Sequence, residues 1–194
     1  GNHASDAGGG LALDNDSTLV QGNVFIGNTA TRGGGLHNWR TEASFHIMEN
    51  EFEANIAWDC GGAMSFDNSP HWIHVHHNTM FENEAIDGGA ICVDMVYRDP
   101  DDVGGLEDYY QDTYLNVYNN ILGQNIAADD GGGLYLKAGI VYLTHVVMDD
   151  NYGASSGAIA TKGSPVYVNN SIFLDNDGDD LALAEDDIEG DAGS

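Results

Sequence analysis

Two short signatures return in the same order along the chain, and this repetition constrains the fold more than any other feature. The first is a glycine pair ahead of an aliphatic residue. It reads Gly-Gly-Gly-Leu at 8–11 and 33–36, Gly-Gly-Ala-Met at 61–64, Gly-Gly-Ala-Ile at 88–91, Gly-Gly-Gly-Leu at 131–134 and Ser-Gly-Ala-Ile at 156–159, with a degraded Asp-Asp-Leu at 179–181. The second is a large apolar residue three positions before an asparagine: Phe25/Asn28, Phe52/Asn55, Met80/Asn83, Leu122/Asn125, Met148/Asn151 and Phe173/Asn176. Successive asparagines lie 27, 28, 42, 26 and 25 residues apart, so one interval carries an insertion, placed at residues 97–113.

Alignment on the second signature exposes period-two columns, the spacing of strands with one buried face. Five residues ahead of the large apolar position stand Val20, Ile47, Val75, Val117, Leu143 and Val168; seven ahead stand Thr18, Phe45, Ile73, Leu115, Val141 and Val166. The alternation resumes after each glycine pair, as in Leu11/Leu13, Met64/Phe66 and Leu134/Leu136. A unit of this length cannot bury its apolar face alone, whereas copies stacked at about 4.8 Å per coil bury it continuously. The expected fold is all-β: a right-handed parallel β-helix of about seven coils, one domain over 1–194, with a lateral loop at 97–113. Asn28, Asn55, Asn83, Asn125, Asn151 and Asn176 are expected as a structural ladder of corner residues, their amides bonded from coil to coil. A second ladder runs Asn23, Asn50, Asn78 and Asn120 before changing to Val146 and Ser171. A leucine-rich repeat would need a leucine-asparagine consensus that is absent, and calcium-binding nonapeptides would recur every nine residues or so.

Charge narrows the partners. Acidic side chains number 32 against 5 Lys+Arg, a formal charge of −27. Nucleic acid is excluded as a partner because binding it requires cations that displace counterions from phosphate. No membrane insertion is expected, since no apolar run reaches membrane-spanning length. Two cysteines, Cys60 and Cys92, are too few for a disulfide scaffold and fall in different columns, so no internal disulfide is expected. The chain opens without a signal segment and reads as a piece of a larger protein or assembly, with further coils or a neighbouring subunit covering its ends.

The segments Phe25–Asn28, Phe52-Glu-Ala-Asn55, Gly61-Gly-Ala-Met64 and Gly88-Gly-Ala-Ile91 resemble the paired Phe-x-x-Asn and Gly-Gly-Ala-Ile repeats of polymorphic outer-membrane proteins. The resemblance covers nearly the whole chain. It implies a surface-exposed passenger of the autotransporter or adhesin type, within the pectin-lyase-like β-helices, and hence an extracellular or cell-surface location. The expected function is accordingly a structural or adhesive scaffold that requires no cofactor and meets a glycan or a surface protein. The alternative is a glycan-processing enzyme, a polysaccharide lyase or hydrolase acting in a groove on the helix face.

Four sets of side chains carry candidate chemistry. Lyase action would draw its cations from Arg32, Arg40, Arg98, Lys137 and Lys162, of which only Lys137 and Lys162 share a column; hydrolysis would draw on Asp67 and Asp94, aligned on neighbouring coils but read first as solvated surface acids. His74 and His76, from a segment that also holds His71 and His77, are candidate transition-metal ligands together with His46 of the preceding coil, because adjacent coils set His46 and His74 about one strand spacing apart. Tyr118, Tyr142 and Tyr167, with His76, form a candidate row of rings for stacking on sugars. Calcium is the candidate ion for Asp99, Asp101, Asp102, Glu107 and Asp108 in the insertion, and for the acidic corners Asp59, Asp87, Asp129 and Asp130, as hard oxygen ligands.

Overall fold

The computed structural model describes residues 1–14, 18–39, 44–67, 72–94, 114–137 and 139–182. The insertion at 97–113 lies outside these residues, and with it the candidate calcium ligands Asp99, Asp101, Asp102, Glu107 and Asp108, as do Arg40, Arg98 and His71.

The described residues form a parallel β-solenoid without helix. Sheet B stacks six strands, Leu19–Gln21, Phe45–Met48, Trp72–His76, Tyr114–Tyr118, Ile140–Thr144 and Val166–Asn169. Sheet C stacks six more, from Val24–Ile26 through Glu51–Glu53, Thr79–Phe81, Ile121–Gly123 and Val147–Asp149 to Ile172–Leu174. Sheet A has two arms, exemplified by Ile56–Cys60 and Met64–Asp67, joined at the glycine pair. Six rungs are separated by five coil-to-coil steps, so the solenoid has about five turns rather than seven. The seven glycine-pair copies mark seven stacked strands in one arm of sheet A, whereas sheets B and C hold six each, so the outermost copies belong to incomplete coils.

Strand pairing follows the sequence columns residue for residue. Val20 pairs with Ile47, Ile47 with Val75, Val75 with Val117, Val117 with Leu143 and Leu143 with Val168. These inward columns form one continuous core in which Phe45, Ile47, Phe52, Phe66, Ile73 and Met80 are buried. Phe25 and Phe52 stack within it at 4.7 Å between ring centres.

Besides the glycine-pair corner, two left-handed residues turn each coil, and the ladder asparagines stand immediately after them rather than on them. Glu49, His77, Asn119, His145 and Asn170 hold φ between 48° and 57° at the corner from sheet B to sheet C, and Ala54, Glu82, Gln124, Asp150 and Asp175 hold 47° to 56° at the corner from C to A. Such a conformation costs an L-residue roughly 1–2 kcal/mol, which the following asparagine offsets by hydrogen bonding. Asn55 Nδ2 donates to Asn83 Oδ1 at 2.9 Å and to the Phe25 carbonyl at 2.8 Å, and its backbone N–H donates to the same Oδ1 at 3.1 Å. The pattern repeats from Asn28 to Asn176.

The glycine pair divides its labour. The first glycine takes positive φ, as at Gly61 (74°) and Gly131 (67°), and the second passes so close to the next coil that a Cβ at Gly89 would stand 2.5 Å from the Gly132 carbonyl oxygen. Ser156 replaces the first glycine in the last copy and does not adopt positive φ. The corner there opens into one ten-residue strand, Tyr152–Thr161, which unites both arms of sheet A.

Cys60 and Cys92 are joined in a disulfide, with 5.7 Å between their Cα atoms, contrary to the sequence expectation. Cys60 ends the first arm of its coil, and Cys92 points outward from the second arm of the next. Residues in different columns meet diagonally because the glycine corner folds one arm toward the outer face of the other.

Candidate functional site

Two outer surfaces concentrate chemistry. The first is the outward face of sheet B, where one column runs Leu19, His46, His74, Asn116, Tyr142 and Tyr167. His46 stacks on His74 at 4.6 Å and Tyr142 on Tyr167 at 4.9 Å. Asn116 interrupts the column, and the indole of Trp72 bridges the gap, 6.1 Å from His74, 4.9 Å from Tyr114 and 5.6 Å from Tyr142. A run of ring faces therefore crosses the coils, with Trp72 38% and Tyr167 54% exposed. The expected row of Tyr118, Tyr142, Tyr167 and His76 is divided: Tyr142 and Tyr167 belong to this run, while Tyr118 stacks on His76 at 4.5 Å in the neighbouring column. Trp72 and Tyr114 were not singled out in the sequence, although Trp72 lies two residues before His74 and shares its outward phase.

The histidines converge only in part. His46 Nδ1 lies 3.3 Å from His76 Nε2, and His76 Nδ1 lies 3.0 Å from His77 Nδ1. His74 lies ring-on-ring against His46 instead of aiming a nitrogen at the same point. Burial, then neighbouring imidazoles, hold His74 and His76 below the ordinary histidine range, so both are neutral at pH 7.

The second surface is the cleft between the arms of sheet A. Outward side chains of the second arm are covered there, which is why Ser65, Cys92, Asp67 and Asp94 are buried. Asp67 and Asp94 are consequently not the solvated surface acids that their pattern suggested. Arg32 from the first arm reaches across to both, with Nη1 at 2.6 Å from Asp67 and Nη2 at 2.6 Å from Asp94, while its Nε sits 3.0 Å from Asp59. Burial opposes charge on Arg32, yet the three carboxylates outweigh it and hold the guanidinium above its usual range. Burial raises Asp67 to about 6 despite Arg32, and lowers His37, 3.9 Å from Asp67, to about 4 with help from the Arg32 charge. His37 Nδ1 also lies 2.8 Å from Ser65 Oγ. Ser65, His37 and Asp67 thus hold the residue types of a nucleophilic triad, but Ser65 is wholly buried and no substrate atom can reach it.

Lys137 pairs with Asp94 at 3.1 Å and Lys162 with Asp130 at 3.0 Å, so the aligned lysines each neutralise a carboxylate of the cleft. Asp87, Asp129 and Asp130 bring one oxygen each within 4.8 Å of one another, the sole such group of three metal-ligating side chains among the described residues. Lys162 already supplies a positive charge there. Asp59 is drawn away to Arg32.

Compared with protein-family models, characterised proteins and solved structures, the chain matches none.

Proposed function

We propose that the chain is an extracellular or cell-surface adhesive scaffold that takes glycans on the outward face of sheet B. The observation that carries this reading is the run of stacked rings from His46 through Trp72 to Tyr167. Sugar rings present C–H faces that pack on aromatic faces, and a stiff parallel sheet holds the rings in position before binding. The neutral, exposed rings also interrupt a surface that is otherwise strongly anionic. The disulfide supports a location outside the reducing cytosol.

Enzymatic use of the cleft is the weaker reading. Asp67 and Asp94 share one guanidinium at 2.6 Å each, so neither carboxylate stands ready to attack or protonate a glycosidic oxygen. Kinship with the polymorphic outer-membrane repeats, and with pectin-lyase-like helices more finely, rests on the repeated motifs alone and belongs to the same proposal.

Titration of neutral and acidic polysaccharides against the protein, followed by tryptophan fluorescence, tests the adhesive reading. Saturable binding that weakens about tenfold or more in W72A and Y167A is expected, since truncating an aromatic anchor of a binding surface costs on the order of 1–2 kcal/mol or more. Absence of saturable binding across the panel, or binding indifferent to both variants, would remove the reading. New reducing or unsaturated ends after incubation would instead favour the enzyme.

A further inference from the structure

We propose that His46 and His76 form a binding site for a zinc-class divalent metal on the outer face of sheet B, with His77 orienting His76. This inference is independent of glycan binding, although both use the same sheet.

The geometry begins with distance. A tetrahedral zinc ion held by two imidazoles at about 2.0–2.1 Å separates their nitrogens by about 3.3 Å. His46 Nδ1 and His76 Nε2 stand 3.3 Å apart, with their rings nearly perpendicular at 88°. His46 comes from one coil and His76 from the next, on strands fixed in parallel register, so the backbone sets the pair without help from a loop. His46 is exposed, which leaves the approach open from its side.

Proton accounting shows how a metal can enter the site without a proton leaving the three rings. In the metal-free arrangement the Asn119 amide N–H lies 3.4 Å from His77 Nε2, which makes that nitrogen an acceptor and leaves the proton on His77 Nδ1. His77 Nδ1–H then donates to His76 Nδ1, and His76 Nε2–H donates to His46 Nδ1. A metal between His76 and His46 replaces that last shared proton. His76 moves its proton to Nδ1 and donates it to His77, whose proton moves to Nε2. His46 already carries its proton on Nε2. All three rings stay neutral, no proton is lost, and His76 acquires the second hydrogen bond that ligating histidines characteristically make. Asn119 turns its amide oxygen toward His77 to complete the chain.

Charge favours occupancy. The groups that face His76 are His46, His74, His77 and Glu49, and Glu49 is the anion among them. Imidazole nitrogens suit zinc, copper and nickel rather than calcium or magnesium. His74 is excluded from the ligand set because its ring lies flat on His46.

The test is titration of the full tag-free chain with zinc chloride at pH 7.5, read by calorimetry and by melting temperature, with calcium chloride in parallel. One zinc ion per chain and a rise in melting temperature are expected. H46Q and H76Q should abolish both, H77A should weaken zinc binding about tenfold as loss of an orienting partner does, and H74Q and H145Q should leave it unchanged. The zinc-induced rise should shrink at pH 5.5, where protons compete for imidazole. Melting of each variant without metal confirms that it folds. No zinc response in the parent chain, or a response that survives in folded H46Q or H76Q, would overturn the assignment, as would an equal response to calcium.

Discussion

His37 and Asp67 titrate in opposite senses across the 3.9 Å between them. The unfolded chain protonates histidine near 6.5, whereas native His37 waits until about 4, so stability that is full above pH 6.5 is lost as pH falls through this window. The loss is about 3 kcal/mol when the shift is fully expressed. Asp67 does the reverse: its native carboxyl takes up a proton near 6 against 3.8 when unfolded, and so adds stability as pH falls from 6 toward 4. The two slopes oppose each other over the same range. In H37Q, stability relative to the parent should therefore increase by up to about 3 kcal/mol between pH 7 and pH 4, measured by urea unfolding at each pH. Parallel pH profiles for the two proteins would show that His37 is not the group responsible. Asn83→Ala, in the middle of the ladder, strips the acceptor from Asn55 and the donor from the Phe52 carbonyl. Buried unsatisfied groups cost about 1–3 kcal/mol each, so a loss of about 3–5 kcal/mol is expected, against about 1 kcal/mol or less for Asn23→Ala at the exposed start of its ladder. Equal losses at both positions would contradict the ladder's role. The asparagine files and the alignment of Asp67 with Asp94 were legible in the sequence because a fixed repeat dictates which residues become vertical neighbours. The left-handed residue ahead of each asparagine was not, since Glu49, Ala54, His77 and Gln124 share no side-chain chemistry.

Corners decide what a column analysis can reach. Within a sheet, pairing is lateral and the repeat predicts it; across the glycine corner of sheet A, contacts run diagonally and no column contains them. Arg32 illustrates the difference, because its partners Asp67 and Asp94 lie 35 and 62 residues onward and two different coils away. The Cys60–Cys92 bond was missed for the same reason. It closes a span of 32 residues, which removes about 3–4 kcal/mol worth of loop entropy from the unfolded state. The double variant C60S/C92S should unfold at a correspondingly lower urea concentration, and the parent should match it once reduced. Coincident midpoints for oxidised parent and double variant would show that the bond adds nothing. Ser156 makes the complementary point about elements: where a side chain displaces the left-handed glycine, two arms become one strand.

At the scale of the whole molecule, a continuous apolar core is wrapped in a surface of formal charge −27. Few of these charges are paired; among the described residues the cations Arg32, Lys137 and Lys162 account for the Lys and Arg ion pairs. Self-repulsion therefore opposes compaction and is screened by salt, as the Debye length falls from about 30 Å at 0.01 M to about 10 Å at 0.1 M. Raising sodium chloride from 0.01 to 0.5 M should raise the melting temperature by several degrees, on the order of 2–4 °C for each kcal/mol of repulsion removed. A melting temperature that falls or stays level with salt would place the dominant electrostatic term in the paired cleft instead.

The main asparagine file also has a direction. From Asn2 through Asn28, Asn55, Asn83 and Asn125 to Asn151, each side-chain amino group donates to the amide oxygen of the asparagine one coil later, so every amide-to-amide bond in the file runs the same way. The small amide dipoles thus add head to tail along the axis, and the solenoid is a vector, not a symmetric rod. Two copies butted together by their early ends would set oxygen against oxygen, so lengthening such a column is chemically permitted in only one orientation.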